Sequence, residues 1–173
     1  TTAIVGASGS GKTTLVKLLL GYFTPTSGNI FLGDTPLQDY DMTSWRHSCG
    51  VVLQDSHVFS ESLARNIAVE DKHIDRTRLR TAARQANLEE FIEKLPLKYQ
   101  TMVGAEGVGL SRGQEQRIFI ARALYKDPSF VFLDEATNSL DANNERIITG
   151  NLLDFCKGRT VLIVAHRLST IRH

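Results

Sequence analysis

Short apolar runs alternate with polar, helix-forming stretches along most of the chain. Residues 3–5, 49–53, 130–133 and 160–165 form strand-sized runs that are apolar almost throughout, without the every-second-residue pattern of a half-exposed strand. Strands of this kind are typical of a parallel sheet that helices cover on both faces. The pattern therefore predicts an α/β fold. Residues 28–33, which lie between turn-forming residues, predict one more strand.

The middle of the chain differs from both ends, because strand patterns fade there and helical patterns replace them. The predicted helices, including those outside the middle, are residues 12–20, 76–85, 88–94, 111–124 and 143–155. Pro96 ends the third of these helices, and Gly158 stops the last. The middle helices are therefore predicted to form a small helical subdomain on an α/β core.

The length and composition fit a single globular domain. The chain has 173 residues, of which 42% are hydrophobic and 23% charged, and these shares exclude disorder, collagen and coiled coil. We expect one domain over residues 1–173. Its RecA-like core would cover about 1–56 and 125–173, and the inserted helical subdomain would cover about 57–124.

The net charge and the length of the apolar stretches restrict the possible functions further. The 20 basic and 19 acidic residues give a net charge of +1, so we expect no nucleic-acid partner. No apolar stretch approaches the roughly 20 residues that span a bilayer, and no signal peptide opens the chain. Any membrane role is therefore expected to use partner segments outside this sequence. Cys49 and Cys156 form no CxxC pair, and we expect two small buried thiols in a reducing compartment.

A glycine-rich segment after the first predicted strand fits the phosphate-loop pattern GxxxxGK[ST]. Its residues are Gly6, Ala7, Ser8, Gly9, Ser10, Gly11, Lys12 and Thr13. The glycines permit a backbone path that turns N–H groups toward a polyphosphate, and the following helix directs its positive end there. Lys12 is expected to reach the β- and γ-phosphates, and Thr13 to bind Mg²⁺. A dinucleotide fingerprint fits less well, because Lys-Thr-Thr follows Gly11 without a third glycine.

Two carboxylates, Asp134 and Glu135, directly follow the predicted strand at residues 130–133. In parallel α/β sheets, ligands collect at the carboxyl ends of the strands. There Asp134 can hold Mg²⁺, and Glu135 can take a proton from an attacking water. The alternative is a helix-capping or exposed acidic pair. A GTPase is disfavoured, because the sequence contains neither DxxG nor NKxD.

Residues 110–114, Leu-Ser-Arg-Gly-Gln, lie at the start of the predicted helix at 111–124. Ser111 and Gln114 have the S-x-x-Q spacing of a capping box, so the simplest interpretation is that Ser111 caps this helix. A capped helix N-terminus beside Gly113 also presents N–H donors and a hydroxyl to an anion. The segment is therefore a second candidate for phosphate contact.

With these motifs in this order, the chain resembles the nucleotide-binding domain of an ABC transporter of the exporter type over essentially its whole length. The matching motifs are Walker A at residues 6–13, the Q-loop at Gln54, the signature at 110–114, Walker B at 130–135, the D-loop at 139–141 and the switch histidine at His166. The resemblance implies a P-loop NTPase core with a mostly parallel sheet flanked by helices. It also implies N-terminal antiparallel strands and a further C-terminal part, so we expect a trimmed domain with weak adenine recognition.

The resemblance further implies a role for each motif. Two domains would pack head to tail, with each ATP between the Walker A motif of one and the signature of the other. The ATP-binding residues would be Gly6, Ala7, Ser8, Gly9, Ser10, Gly11, Lys12, Thr13, Thr14 and Gln54 on one side, and Ser111, Gly113, Gln114 and Asp141 on the other, with Asp141 linking the two sites. The catalytic residues would be Glu135 as general base, His166, Gln54 and Lys12. The Mg²⁺ ligands would be Thr13, Gln54 and Asp134.

Residues 59–67 and 95–104 resemble exporter segments that face a membrane domain. The resemblance thus implies ATP hydrolysis coupled to export, at the cytoplasmic face of the cell membrane. The implied partners are a second ATP-binding domain, identical or different, and a transmembrane domain in the same polypeptide. A soluble ABC ATPase without a transport role and a regulatory module that holds ATP remain alternatives.

Two positions depart from the family pattern. Arg112 stands where the signature usually has glycine, and its guanidinium would either attract the opposing phosphate or point outward. Ala105 follows Gly104 where exporters usually carry glutamate, and Glu106 comes one residue later. The contact that this glutamate makes with membrane loops in the family would therefore be lost or shifted by one residue.

Overall fold

The computed structural model describes residues 1–69 and 71–165. The strands in chain order are β1 (Thr2–Val5), β2 (Phe31–Leu32), β3 (Thr35–Pro36), β4 (Cys49–Val52), β5 (Phe130–Asp134) and β6 (Thr160–Ala165). The α-helices are α1 (Lys12–Leu19), α2 (Met42–His47), α3 (Leu63–Ile67), α4 (Arg76–Gln85), α5 (Glu89–Glu93), α6 (Arg112–Lys126) and α7 (Ala142–Phe155). Two short 3₁₀-helices lie at Leu37–Asp39 and Lys98–Gln100.

The main sheet has the strand order β1-β6-β5-β4, and every neighbouring pair is parallel. The α/β fold with a parallel sheet, predicted from the unbroken apolar runs, is therefore confirmed. Because all four strands run in the same direction, the residues that follow β1, β4 and β5 emerge at the same edge. These residues are Gly6, Leu53 and Glu135. Three of the predicted motifs are thus brought to one edge by the topology.

Coverage of the sheet is uneven. The prediction of two covered faces holds for β5, where Val131, Phe132 and Leu133 are all buried. It is wrong for β1, because β1 is the edge strand beside β6 and most of its side chains are exposed. Val5, for example, is 50% exposed. An apolar run therefore marked a strand correctly without showing how much of it is buried.

Most of the predicted elements match the structure to within two residues at each end. The exception is the strand expected at residues 28–33, of which Phe31–Leu32 alone pairs, with Thr35–Pro36. The chain reverses at Gly33, whose φ of +61° lies in the left-handed region that favours glycine. Helices α2 and α3, of six and five residues, were not predicted.

Helix α6 joins the two parts of the fold. It packs against β4 as well as against α3 and α4. Its buried Ile118, Phe119 and Ile120 belong to the larger hydrophobic core, which also contains Val131 of β5 and Leu79 of α4. A second core lies between α1, α2 and the sheet. Movement of α6 is therefore coupled by packing to both the helical layer and the sheet.

Among residues 1–69 and 71–165, no helix has both the length and the apolar character needed to cross a membrane. Both cysteines are free, with Cys49 buried and Cys156 half-buried. Burial raises the pKa of the Cys49 thiol to about 12 and also raises the pKa of Cys156. Because the thiolate is the reactive form, both thiols are expected to be inert.

Candidate nucleotide and metal site

The phosphate-loop segment forms an open loop between β1 and α1. Gly9 and Gly11 have φ values of +77° and +86°, a left-handed conformation that residues with a side chain rarely adopt. Gly11 is the N-cap of α1 and supplies no capping side chain. The N-terminus of α1 therefore faces the loop with its positive end, as an anion-binding helix does.

A cleft of about 620 Å³ lies over this loop. Its lining residues are Ser8, Gly9, Ser10, Gly11, Lys12, Thr13, Thr14, Gln54, Glu135 and Asn138. The cleft thus collects side chains that follow three different strands of the sheet. Gly6 and Ala7 complete the loop through their carbonyl groups, which contact Lys12.

Lys12 folds back over the loop and is buried, with 8% of its surface exposed. Its Nζ donates to the carbonyl oxygens of Gly6 and Ala7, at 2.8 and 2.7 Å, and to Ser10 Oγ at 3.3 Å. All three partners are neutral. The ammonium charge is therefore held inside the concave side of the loop, where an anion would be the stronger partner.

Thr13 and Asp134 meet across the start of α1 and the end of β5. Thr13 Oγ1 donates to Asp134 Oδ2 at 2.6 Å. Asp134 is 2% exposed, and its other oxygen, Oδ1, is buried without a hydrogen-bond partner. Burying a carboxylate oxygen in this way is unfavourable unless a cation or donor reaches it.

These residues fit Mg²⁺. The described residues contain no cluster of three or more His, Cys, Asp or Glu that could hold a metal. Mg²⁺ does not need such a cluster, since it commonly binds one or two carboxylates together with substrate phosphates and waters. A hydroxyl, a carboxylate with an unpartnered oxygen and a phosphate loop supply that set of oxygen ligands.

Glu135 begins the turn after β5 in a left-handed conformation, with φ of +54°. Its N–H donates to Val164 O of the neighbouring strand at 3.2 Å. Its Oε2 accepts from Gln54 Nε2 at 2.5 Å and from Asn138 Nδ2 at 2.6 Å. This conformation costs a residue with a side chain roughly 1–2 kcal/mol, and the backbone contacts around it compensate. The carboxylate of Glu135 is thereby directed from the strand end into the cleft.

Gln54 follows β4 and lines the cleft. The contact of its amide nitrogen with Glu135 brings together two of the residues that the sequence singled out. The next residue, Asp55, accepts a hydrogen bond from Lys17 of α1 at 2.6 Å. This hydrogen bond holds the pKa of the Asp55 carboxyl below its usual value. The segment after β4 is thus attached to the helix that begins at the phosphate loop.

The signature segment lies apart from this cleft. Ser111 Oγ accepts from the Gln114 N–H, and the Ser111 N–H donates to Gln114 Oε1, so that the capping box of α6 is complete. Of the described residues that line the cleft, none comes from 110–114. Arg112 is exposed and borders a smaller cavity of about 290 Å³ that also touches Glu135. Within one chain, the structure therefore assembles the Walker motifs and Gln54 but leaves the signature outside.

Asp141, another predicted residue, is also absent from the lining of the cleft. Asp141 caps α7 and accepts from the N–H groups of Asn143 and Asn144, both at 3.1 Å. The Asn144 side chain also donates to Asp141, and these contacts lower the pKa of its carboxyl. His166, predicted to act in catalysis, lies outside the described residues.

Sequence reasoning missed two residues of the site. Asn138 binds Glu135 through its side chain, and Gln116 of α6 donates to Glu135 O at 2.9 Å. Asn138 belongs to no recognised motif and lies in a turn. Gln116, in contrast, leaves a trace in the sequence, because it occupies the apolar face of α6 with Phe119 and Ile120.

Comparisons with known proteins agree on one family. The ABC transporter family model matches residues 1–138. The ATP-dependent lipid A-core flippase of Saccharophagus degradans is 46% identical over 173 residues, which are all of this chain and 30% of the flippase. The toxin RTX-I translocation ATP-binding protein of Actinobacillus pleuropneumoniae is 45% identical over 170 residues, or 98% of this chain and 24% of that protein.

The fold agrees as well. The solved structure of a bacterial Atm1-family ABC exporter with ATP bound superimposes with a TM-score of 0.92 at 39% identity, covering 98% of this chain and 30% of that one. The chain thus spans less than a third of the length of these relatives. Their sequence identity, the family-model match and the shared P-loop fold establish that the chain belongs to the ABC transporter family, a family that binds ATP.

Proposed function

We propose that this chain binds Mg·ATP and hydrolyses it to power export through a membrane transporter. The observation that carries the proposal is that Lys12 and Glu135 line one cleft at the carboxyl edge of the sheet, with Asp134 attached to it through its hydrogen bond to Thr13. A cation for phosphate, a carboxylate for metal and a carboxylate for water are the groups that phosphoryl transfer requires. They come from two elements that are far apart in sequence and adjacent in the fold.

The loop and Lys12 would bind the polyphosphate. Lys12 Nζ donates to neutral carbonyl groups in the structure, and exchanging them for phosphate oxygens gives stronger, charge-assisted hydrogen bonds. The N–H groups of the loop and of the first turn of α1 would add donors and a favourable dipole. Thr14, which lines the cleft, would contact the α-phosphate side of the ligand.

Thr13, Asp134 and Gln54 would hold Mg²⁺. When bound there, the metal would neutralise charge on the β- and γ-phosphate oxygens. Asp134 would contribute the oxygen that is buried and unpartnered in the structure. Thr13 would keep the carboxylate aligned through its hydrogen bond to the other oxygen.

Glu135 would accept the proton of the attacking water. Gln54 and Asn138 both donate to its Oε2 and so fix the orientation of the carboxylate. Orientation matters because a general base must lie within hydrogen-bond reach of the proton that it takes. We retain His166 as a proposed contact of the γ-phosphate.

A second copy of this chain would complete the site. The signature segment, including Ser111, Gly113 and Gln114, lies outside its own chain's cleft, yet it forms a capped helix N-terminus with the chemistry of an anion site. One chain carries both the Walker side and the signature side, so two copies packed head to tail make two complete sites. Asp141 would lie near the contact between the two copies.

The transmembrane part would pack into a groove of about 400 Å³ between α2 and β4 on one side and α3 and α6 on the other. Tyr22 and Val69, which are 50% and 42% exposed, line it together with the basic Arg46. The exporter-like segment at residues 59–67 leads directly into this groove through α3. The chain would thereby lie at the cytoplasmic face of the membrane.

The relatives also separate the competing functions. Their names describe a lipid flippase and a toxin translocation protein, which supports export over a soluble ATPase. The catalytic geometry of Glu135 supports turnover over a module that only holds ATP.

The test is ATP hydrolysis by the full-length protein in lipid, with the variant Glu135→Gln. We expect Mg²⁺-dependent hydrolysis by the wild type, and for Glu135→Gln a loss of turnover with ATP binding retained, because the substitution removes the base and keeps its shape. Glu90→Gln, the same change at an exposed position of the helical part, serves as the matched control and is expected to hydrolyse ATP normally. A wild-type protein that binds ATP without hydrolysing it would contradict the proposal.

A further inference from the structure

Gln116 has an unusual position for a glutamine in a helix. It lies in the second turn of α6, is 9% exposed and forms part of the helix face that packs into the core. Both ends of its amide are hydrogen bonded outside the helix. Nε2 donates to Glu135 O at 2.9 Å, and Oε1 accepts from Ser139 N at 2.8 Å.

The two partners of Gln116 are the ends of one turn. Residues 135–139 begin with the left-handed Glu135 and include Asn138, whose N–H donates to Glu135 O at 3.2 Å and whose side chain donates to Glu135 Oε2. This turn sets the direction of the Glu135 carboxylate. Since the left-handed conformation costs energy, the turn depends on restraints from outside, and Gln116 supplies one at each end.

Gly113 brings the same helix close to the same turn. It lies three residues before Gln116 and therefore on the same side of α6. A Cβ atom at Gly113 would come within 3.3 Å of Ser139 O, so the helix and the turn are near the limit of contact there. The signature glycine and Gln116 thus form one contact surface against the turn that carries Glu135.

We propose that Gln116 is a positioning residue that holds the Glu135 turn against the N-terminus of α6. The inference rests on the proposed function, in which Glu135 is the base and residues 111–114 complete the site of the second copy. Gln116 touches neither nucleotide. It fixes the residue that acts in its own chain's site to the helix that acts in the other site, and it does so through two main-chain hydrogen bonds.

The first variant is Gln116→Met in the full-length protein, which keeps the length of the side chain and removes both hydrogen bonds. Misplacing a catalytic group by a fraction of an ångström to an ångström lowers turnover, so we expect kcat to fall roughly 10- to 100-fold. The KM and Kd for ATP should stay within about twofold, because no residue of the phosphate loop changes. Gln38→Met, the same substitution at an exposed position away from the site, is the control and should leave kcat unchanged.

The second variant, Gln116→Glu, tests the hydrogen bond to Glu135 O specifically and covers the case in which Gln116→Met fails to fold. Its ionised carboxylate can accept from Ser139 N but repels Glu135 O, whereas the protonated form can donate as the amide does. The deficit in kcat relative to the wild type should therefore shrink as the pH falls. A role limited to helix packing gives a deficit that does not change with pH in this way.

The outcomes separate this inference from the proposed function. A fall in kcat with ATP affinity retained and with recovery of Gln116→Glu at lower pH supports the positioning role. Normal kcat in both variants, with Glu135→Gln inactive, overturns the positioning role and leaves the proposed function standing. Parallel loss of ATP binding and kcat, without pH recovery, also overturns it in favour of a structural role. A wild-type protein that does not hydrolyse ATP overturns both.

Discussion

The cleft over the phosphate loop and the N-terminus of α6 contain the two halves of the proposed ATP site. They differ in how far their polar groups are satisfied by hydrogen bonds within the chain. The cleft is assembled from three strand ends and contains a lysine bonded only to neutral oxygens, and Asp134, bound to Thr13 at its side, has an unpartnered buried oxygen. The helix N-terminus is satisfied by its own capping box. The first region therefore has polar groups that the proposed ligand would satisfy, whereas the capping box of the second is complete within the chain.

The N-terminus of α6 shows how one segment can contribute to both stability and function. Ser111 caps α6 through its oxygen, and such a cap stabilises a helix by about 1 kcal/mol. The N–H groups of the first turn still point outward from the helix end, where an anion can reach them. The capping and phosphate-binding interpretations of the sequence are therefore compatible, and substitutions can separate them.

The largest effect is expected at Lys12. In Lys12→Ala the only ammonium group of the phosphate loop is removed, so hydrolysis should fall below detection and ATP affinity should fall roughly 100-fold. Binding of a fluorescent ATP analogue and phosphate release measure the two effects. Lys94→Ala, at an exposed position of the helical part, is the control. ATP affinity unchanged in Lys12→Ala would show that the cleft is not the phosphate site.

The next effect is expected at Ser111. In Ser111→Asp the helix keeps a good N-cap, because aspartate caps as well as serine does, but the added charge repels a phosphate. Unfolding should be unchanged, while hydrolysis should fall roughly 10²- to 10³-fold, as when a transition-state donor is removed. Thermal unfolding measures the stability of the variant, and a steady-state assay measures its hydrolysis of ATP. Activity equal to that of the wild type would mean that Ser111 acts only as a helix cap.

A smaller effect is expected at Asp134, where a substitution should increase the stability of the nucleotide-free protein. In Asp134→Asn the buried charge disappears, so the nucleotide-free protein should become more stable, by roughly 1–3 kcal/mol. Stabilisation by Mg·ATP should largely vanish at the same time. Denaturant unfolding with and without Mg·ATP measures both, with Asp39→Asn at an exposed position as the control. Destabilisation of the nucleotide-free variant would mean that the carboxylate is already satisfied within the chain.

The smallest effect is expected at the link between α1 and the segment after Gln54. The hydrogen bond from Lys17 lowers the pKa of Asp55, so the folded state binds this proton less readily than the unfolded state. The contribution is therefore present above about pH 4 and lost as the pH falls below that value. Since Asp55 is 59% exposed, it amounts to about 0.5 kcal/mol. The difference in unfolding free energy between the wild type and Asp55→Asn should shrink as the pH falls below about 4, and a difference that grows on acidification would contradict this assignment.

Much of the fold follows from the sequence because its strands and longer helices have strong local patterns. The run at 130–133 is apolar throughout and became the central β5, and α4 begins after Asp75, which caps it. Burial was harder to predict. The apolar residues of β1 resemble those of β5 in sequence, yet most of β1 is exposed and β5 is largely buried, a difference that the local pattern does not predict.

The candidate site, like the burial of the strands, could be predicted from the sequence only in part. The phosphate-loop residues and the Asp134–Glu135 pair could be located from the sequence, since local spacing defines them. Gln54 required the family pattern, because a single glutamine has no local signature. Gln116 and Asn138 could not be assigned to Glu135, since their contacts depend on how α6 packs against the end of β5. Tertiary contacts of this kind arise only when the elements are assembled.

The central claim is that two copies share each site, and mixing two inactive full-length variants tests it most directly. Lys12→Ala breaks the Walker side and Ser111→Asp breaks the signature side, so each variant alone has two defective sites. In a mixed pair one site receives both defects and the other receives none. With random pairing, half of the pairs are mixed and each has one intact site, so about a quarter of wild-type hydrolysis should return. Activity in the mixture no higher than that of either variant alone would contradict a site that is shared between copies.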